Sequence, residues 1–173
     1  METKHNLRKA LLVADGGSTK TDWCLAFPHR EPQLFRTRGL NPALLEPPAI
    51  REILQTELLP RLAPHLQGPE TETHIYYYGA GCLPSVCDKM GQALTGLFPR
   101  STAEVHSDLL GAARALCGHE AGIACILGTG SNSCRYDGQD IVQHVSPLGY
   151  ILGDEGSGTA LGKRLIGDWL KGL

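Results

Sequence analysis

The sequence has neither a long hydrophobic segment nor an excess of charge of one sign. Its apolar runs are all shorter than the roughly 20 residues that a membrane-spanning helix needs. The polar N-terminus leads into a run that Asp15 interrupts too early for a signal peptide. Lysine and arginine total 16 and acidic residues 18, which leaves a formal net charge of −2. These features predict a cytoplasmic protein with no electrostatic attraction to nucleic acid or to a membrane surface.

Cysteine pairs of the metal-binding or redox type are also missing. None of the six cysteines stands in a C-x-x-C pair, and several lie within apolar runs. Reduced core thiols are therefore expected. No clustered set of ligands supports a zinc or iron–sulfur site. With 173 residues, 42% of them hydrophobic, the chain is long enough for one ordinary domain or for two small lobes.

The pattern of apolar runs and turn residues predicts an α/β protein. Three antiparallel strands are expected first, followed by a turn and a helix in which Pro47 and Pro48 occupy the first turn. Two further strand-and-helix pairs follow. The predicted strands are 10–15, 21–27, 33–38, 74–81 and 102–106, the turn is 39–42, and the helices are 47–63, 84–97 and 108–117.

The chain contains a repeated pattern. "LLVADGGS" at 11–18 corresponds to "ACILGTGS" at 124–131 with an offset of 113 residues. Each stretch is an apolar strand, a turn of glycine and hydroxyl residues, and the start of a second strand. The repeat predicts two lobes, 1–118 and 119–173. The second lobe would continue with a hairpin over 131–144, a loop over 149–162 and a helix from about 156 to the end.

Both glycine turns have the chemistry of a phosphate site. Glycines leave backbone N–H groups accessible, and such concave arrays of donors suit phosphate oxygens. Asp15 ends a buried strand and is placed to hold magnesium through water, as this ion prefers. A simple hairpin with Asp at its first turn position is the alternative. If the two turns face each other, they form a phosphate clamp. The phosphate-binding residues would be Gly16, Gly17, Ser18, Thr19 and Lys20 in the first turn, and Gly128, Thr129 and Gly130 in the second.

Two stretches of the sequence partly match better-known nucleotide-binding motifs. "SGTALGKR" at 157–164 has Ser157 where a P-loop begins with glycine, and Arg164 where it needs Ser or Thr. "GTGSNS" at 128–133 has Ser133 in place of the third glycine of a dinucleotide fingerprint, and a strand follows. Neither a P-loop nor a dinucleotide site is expected.

The motifs together resemble a known family. "ADGGSTKTDW" and "GTGSN" resemble the two phosphate motifs of the sugar kinase, heat-shock ATPase and actin superfamily. "GYILGDEGSGTALGK" resembles the signature loop of N-acetylglucosamine kinases and of the BadF/BadG/BcrA/BcrD-type ATPases. The resemblance implies a ribonuclease-H-like (actin-like ATPase) lobe followed by the first part of a similar lobe. It also implies ATP, magnesium and phosphoryl transfer to a sugar 6-hydroxyl.

The same resemblance implies roles for individual residues. "HSDLLGA" at 106–112 is similar to the segment that carries the catalytic aspartate, which places the general base at Asp108. A helix N-cap is the alternative for Asp108, and the two roles are compatible. The second turn's Thr129 would contact sugar or phosphate. The sugar-binding positions would be Asn41, Asn132, Gly149 and Asp154, with ordinary turn roles as the alternative for the two asparagines.

The sequence also departs from the family pattern. Leu148-Gly149 stands where N-acetylglucosamine kinases carry Trp-Gly, and the cysteine motif of the electron-transfer ATPases is missing. Family members continue well beyond Leu173, so a truncated chain without the adenosine site is expected. An incomplete second lobe would expose apolar surface and favour a homodimer. The alternative function is an ATPase-type regulator whose lobe closure is read by a partner protein.

Overall fold

The computed structural model describes residues 8–66, 71–98 and 100–173. The chain forms two compact units, Met1–Asp108 and Leu109–Leu173. The predicted boundary near residue 118 lies ten residues further along the chain.

The first unit is built on a five-stranded mixed sheet. The strands are β1 (Arg8–Gly16), β2 (Lys20–Ala26), β3 (Gln33–Arg38), β4 (Thr71–Gly79) and β5 (Ser101–Ser107). Their order across the sheet is β3-β2-β1-β4-β5. The first three strands pair antiparallel, as predicted, whereas β4 and β5 continue the sheet in parallel with β1. Because β1, β4 and β5 are parallel, their carboxyl ends lie at one edge of the sheet.

Helices cover one face of this sheet. They are α1 (Pro47–Ile53), a π-helical turn (Leu54–Leu58), α2 (Leu59–Leu62) and α3 (Pro84–Thr95). Strand β4 alternates strictly between buried and half-buried residues, because successive side chains point to opposite faces. The core between the sheet and the helices is apolar. Its largest fully buried side chains are Leu12, Trp23, Leu25, Leu40, Ile50, Leu54, Leu58, Leu62, Ile75, Tyr77 and Met90.

The helix predicted over 47–63 is present but is not uniform. Residues Leu54–Leu58 form a π-helical turn that separates α1 from α2. Pro60, the second residue of α2, has no N–H to donate to the carbonyl of Thr56. A π turn is a common way to accommodate such a break in the hydrogen-bond ladder of a helix.

The second unit contains a three-stranded antiparallel sheet and three helices. In chain order they are α4 (Asp108–Cys117), β6 (Gly122–Leu127), β7 (Ser131–Tyr136), β8 (Ile141–Val145), α5 (Gly149–Leu152) and α6 (Gly158–Lys171). Helix α4 buries Leu109, Leu110 and Ala113 in one cluster with Ala124 and Tyr136. This packing explains why nearly all of α4 belongs to the second unit. Within the predicted loop 149–162 the structure adds α5, and α6 begins at Gly158 instead of near 156.

Both glycine turns contain three residues, 17–19 and 128–130. The ends of the flanking strands therefore correspond with an offset of 111 residues, where the sequence comparison gave 113. The two offsets differ by two residues, so the corresponding side chains of the two repeats still lie on the same faces of their strands. In the described part of the chain, no helix is long and apolar enough to cross a membrane.

Candidate functional site

In the first unit, the predicted site residues gather at the carboxyl edge of the parallel strands. Asp15 and Gly16 end β1, Gly79 ends β4, and Asp108 follows β5 directly. The Asp15 side chain is exposed and Asp108 is half-buried. Open α/β sheets bind their ligands at this edge, because the loops that leave the strands meet there.

The first glycine turn presents backbone donors to solvent. Gly17 N–H closes the turn on the carbonyl of Lys20 at 2.8 Å, and Gly39 N–H donates to the carbonyl of Thr19 at 3.0 Å. Within the described residues, the N–H groups of Ser18 and Thr19 have no protein acceptor. The turn is thus held through its carbonyls, and two adjacent amide donors remain available to a ligand.

Lys20, predicted to contact phosphate, is held on the sheet surface. Its ammonium donates to Asp22 Oδ2 at 2.8 Å, and Arg36 Nε donates to the other carboxylate oxygen at 2.6 Å. Hydrogen bonds from Arg36 and then Lys20 lower the pKa of Asp22 below its ordinary value. All three side chains are at least one-third exposed, so these are surface ion pairs of small energy.

The side chain of Tyr77 packs against the residues next to the first turn. Its buried ring lies against Gly16 and Gly79, and a Cβ atom at either glycine would overlap the ring. The Tyr77 hydroxyl donates to the carbonyl of Leu40. Burial, the largest cause, raises the pKa of Tyr77 well above its ordinary value. The hydroxyl therefore stays a neutral donor that fixes the loop after β3 against the end of β1.

Asn41 links this loop to the turn. Its Nδ2 donates to Ser18 Oγ at 2.9 Å, and its Oδ1 accepts from Ala43 N–H at 2.9 Å. Gly81, at φ +73°, approaches so closely that a Cβ would overlap the Asn41 amide. The turn role that was the alternative for Asn41 is present in the structure. A sugar-binding role would use the second N–H of the same amide group.

Asp108 affects the ionisation of two buried groups. Its negative charge helps to raise the pKa of Tyr77, and it does the same for Cys82, whose pKa burial raises to about 12. As the first residue of α4, Asp108 also lies where a carboxylate is favoured by the helix dipole. Asp108 is thus the first residue of the helix and not its N-cap, and its favourable position at the helix N-terminus is compatible with a catalytic role.

The second glycine turn is anchored to the start of α6 within the second unit. Gly158 N–H donates to the carbonyl of Gly128 at 2.8 Å, and Thr159 Oγ1 donates to that of Thr129 at 2.7 Å. Gly128 N–H bonds the carbonyl of Gly130 at 2.9 Å. In the described part of the chain, the N–H groups of Thr129 and Gly130 have no protein acceptor. The second turn thus resembles the first: hydrogen bonds to backbone carbonyls hold it in place, and two adjacent N–H groups remain available as donors.

Asp154 packs against the same turn. Its Oδ1 accepts from Ser131 N–H at 3.3 Å, and its Oδ2 lies 3.1 Å from the position of a Cβ on Gly130. The backbone of Asp154 is left-handed at φ +58°, a conformation held by its N–H bond to the carbonyl of Pro147 at 2.9 Å. A non-glycine residue in this region is strained, and such strain often accompanies function. Gly149, also at positive φ, has open space around it.

Asn132 lies on β7 beside a residue that the sequence reasoning missed. His144, on the adjacent strand β8, approaches Asn132 Oδ1 with its Nε2 at 2.8 Å. From the sequence, only the position of His144 in the predicted hairpin 131–144 indicated this contact, because side chains on neighbouring strands of a hairpin contact each other.

Each turn, taken by itself, has donors of the kind that bind phosphate oxygens. Each turn offers two adjacent N–H donors without a protein acceptor. No group of three or more His, Cys, Asp or Glu side chains that could hold a metal occurs among the described residues. Magnesium at Asp15 would therefore take its other ligands from water and phosphate, which agrees with the ion's usual coordination.

The fold and these turns define an α/β protein with the ribonuclease-H-like fold of actin-like ATPases and sugar kinases. A Porphyromonas gingivalis protein provisionally named an N-acetylglucosamine kinase matches with 49% identity and a TM-score of 0.88, over 94% of this chain and 56% of that one. A second protein provisionally given that name, from Chromobacterium violaceum, matches with 21% identity and a TM-score of 0.68, over 91% and 55%. A ROK hexokinase from Thermus thermophilus matches with 14% identity and a TM-score of 0.52, over 93% and 64%.

The resemblance to the N-acetylglucosamine kinase family is thus confirmed over most of this chain. The chain spans about half the length of the first two relatives. No protein-family model matches the sequence. The curated proteins likewise contain no match to it.

Proposed function

We propose that the protein transfers a phosphoryl group from ATP to a hydroxyl of an N-acetylglucosamine-like sugar. The observation that carries this proposal is the pair of three-residue glycine turns, each with two amide donors that have no protein acceptor. The 49% identity to the P. gingivalis protein, whose name includes this sugar, supports the choice of substrate.

In the first unit, Ser18 and Thr19 would donate their N–H groups to phosphate oxygens. Such donors stabilise the charge that develops during phosphoryl transfer. ATP supplies the phosphoryl group, and magnesium near Asp15 would neutralise part of its charge. Tyr77 and Asn41 act indirectly, because they fix the conformation of the turn.

Asp108 is the proposed general base. It would accept the proton of the sugar hydroxyl as that oxygen bonds to phosphorus and the bond from phosphorus to the leaving ADP oxygen breaks. In the second unit, Asn132 and Asp154 would bind sugar hydroxyls, and Thr129 and Gly130 would donate to phosphate. Because catalysis of this kind is mostly positioning and charge stabilisation, most of these residues bind rather than react.

The proposal is tested on the full-length protein, by measuring ATP-dependent phosphorylation of N-acetylglucosamine, glucosamine and glucose. Asp108→Asn should lower kcat by about 10²–10⁴-fold, the usual contribution of a general base. Asp88→Asn is the matched control, since Asp88 is an exposed carboxylate on α3. The proposal fails if no sugar is phosphorylated, or if both variants retain full activity. ATP hydrolysis stimulated by a protein and not by a sugar would favour the regulator.

Whether the 173 residues are active by themselves is a separate question, because they cover only 56% and 55% of the first two relatives. Calorimetry with ATP addresses it. We expect that these residues alone do not bind ATP with micromolar affinity. Micromolar binding would show that the adenosine site is not required for binding, or that it lies within this chain.

A further inference from the structure

Asn132 and His144 are diagonal neighbours on one face of the second unit's sheet. Cys134 pairs with His144, and Ser133 pairs with Val145, which places Asn132 two residues along β7 from the residue opposite His144. Diagonal neighbours of this kind are within reach of long side chains. The distance from His144 Nε2 to Asn132 Oδ1 is 2.8 Å, an ordinary hydrogen bond.

The Asn132 amide oxygen has two donors. It accepts from the N–H of Ser133 at 2.9 Å as well as from His144 Nε2. An amide oxygen has two lone pairs, so both are used. The nitrogen and oxygen ends of an amide are assigned from such networks. The Ser133 N–H is a donor, so the atom it contacts is the oxygen, and His144 donates to it in the tautomer that carries the proton on Nε2. The two N–H groups of Nδ2 then remain as the hydrogen-bond donors of this side chain.

We propose that His144 is a positioning residue that holds Asn132 as a hydrogen-bond donor toward the sugar. This inference rests on the proposed function, because it assigns a role within the same sugar site. The group of the sugar that meets Asn132 is then an acceptor, either a hydroxyl oxygen or an amide carbonyl oxygen. Without His144, one hydrogen bond that fixes the amide is lost, and the oxygen can turn toward the ligand.

The first test compares the kinetics of His144→Phe and His144→Gln. Phenylalanine keeps a flat ring but has no donor, whereas glutamine keeps an N–H donor. His144→Phe should raise the KM for N-acetylglucosamine about 5–10-fold, the equivalent of one ordinary hydrogen bond. The KM for ATP and kcat should be unchanged, and His144→Gln should restore most of the sugar KM. His119→Phe, at an exposed histidine of the same unit, is the matched control.

Three kinetic results would overturn the proposal. They are an unchanged sugar KM in His144→Phe, equal increases in the KM values for sugar and ATP, and no recovery in His144→Gln. Thermal denaturation of each variant identifies any variant that is unfolded. If His144→Phe is unfolded, His144→Leu, which also has no donor, takes its place in the comparison with His144→Gln.

A second readout does not depend on activity. In ¹⁵N-labelled protein, the two side-chain amide protons of Asn132 should shift between the wild type and His144→Phe, and return in His144→Gln. Unchanged Asn132 resonances would overturn the positioning role. A wild type that phosphorylates no sugar, with these shifts present, would instead overturn the proposed function.

Discussion

Replacing Gly16 by alanine should destabilise the first unit because the new methyl group has no space. A Cβ at this position would overlap the hydroxyl and the ring of Tyr77. Tyr77 cannot withdraw easily, since it is fully buried, packs against Trp23 with ring centroids 6.0 Å apart, and donates to the Leu40 carbonyl. Overpacking costs about 1–3 kcal/mol, and breaking a buried hydrogen bond adds about 1–3 kcal/mol.

The expected loss of unfolding free energy is therefore about 2–6 kcal/mol. At about 2–4 °C per kcal/mol for a chain of this size, Tm should fall by roughly 4–24 °C. Urea denaturation and calorimetry measure the two quantities. Gly162→Ala in α6 is the control, because a Cβ there contacts nothing within 4 Å, and it should stabilise by up to about 1 kcal/mol. A Gly16→Ala variant within 0.5 kcal/mol of the wild type, on the order of ordinary surface substitutions, would refute the role assigned to Tyr77.

Four further outcomes are expected. Tyr77→Phe should cost about 1–3 kcal/mol in urea denaturation, because the buried Leu40 carbonyl loses its donor. The pKa of Tyr77 is raised in the folded protein, so the hydroxyl ionises at a lower pH in the unfolded chain than in the folded one. Above about pH 10, the free energy of unfolding of the wild type should therefore fall more steeply with pH than that of Tyr77→Phe. Burial raises the pKa of Cys82 to about 12, so iodoacetamide at pH 8 should alkylate Cys82 far more slowly than the exposed Cys125. Mass spectrometry follows both reactions, and equal rates would contradict the burial of Cys82. Ser157→Ala should cost about 1 kcal/mol of stability, because the Ser157 side chain caps α6, and no change would contradict the cap.

The sequence was a good guide wherever a local pattern decides the structure. Strand β3 has the predicted bounds 33–38 because its ends coincide with polar and glycine turns. The two hairpins were readable from apolar runs on either side of glycine, and the antiparallel pairing of β1 with β2 and of β6 with β7 confirms them. The order of the five strands across the sheet was not predicted, because no local pattern shows which strands are neighbours.

The features that were missed depend on contacts between distant residues. The π turn before Pro60 and the four-residue helix α5 are too short to produce a periodic pattern. The boundary between the units depends on whether Leu109 and Leu110 pack in the core of the first unit or of the second, and the sequence does not show in which core they pack. At the candidate site, the residue types were readable, but the ion pair of Lys20 with Asp22 and the bond of His144 to Asn132 required coordinates.

Both glycine turns are proposed to bind phosphate through their backbone N–H groups. The most direct measurement is a titration of ¹⁵N-labelled protein with magnesium and ATP, followed by the amide resonances and carried well above micromolar ATP, because these residues alone are not expected to bind ATP with micromolar affinity. If each turn binds phosphate, the amides of Ser18 and Thr19 and those of Thr129 and Gly130 shift as ATP is added. Saturation of ATP binding with these four amides unmoved would contradict the proposal.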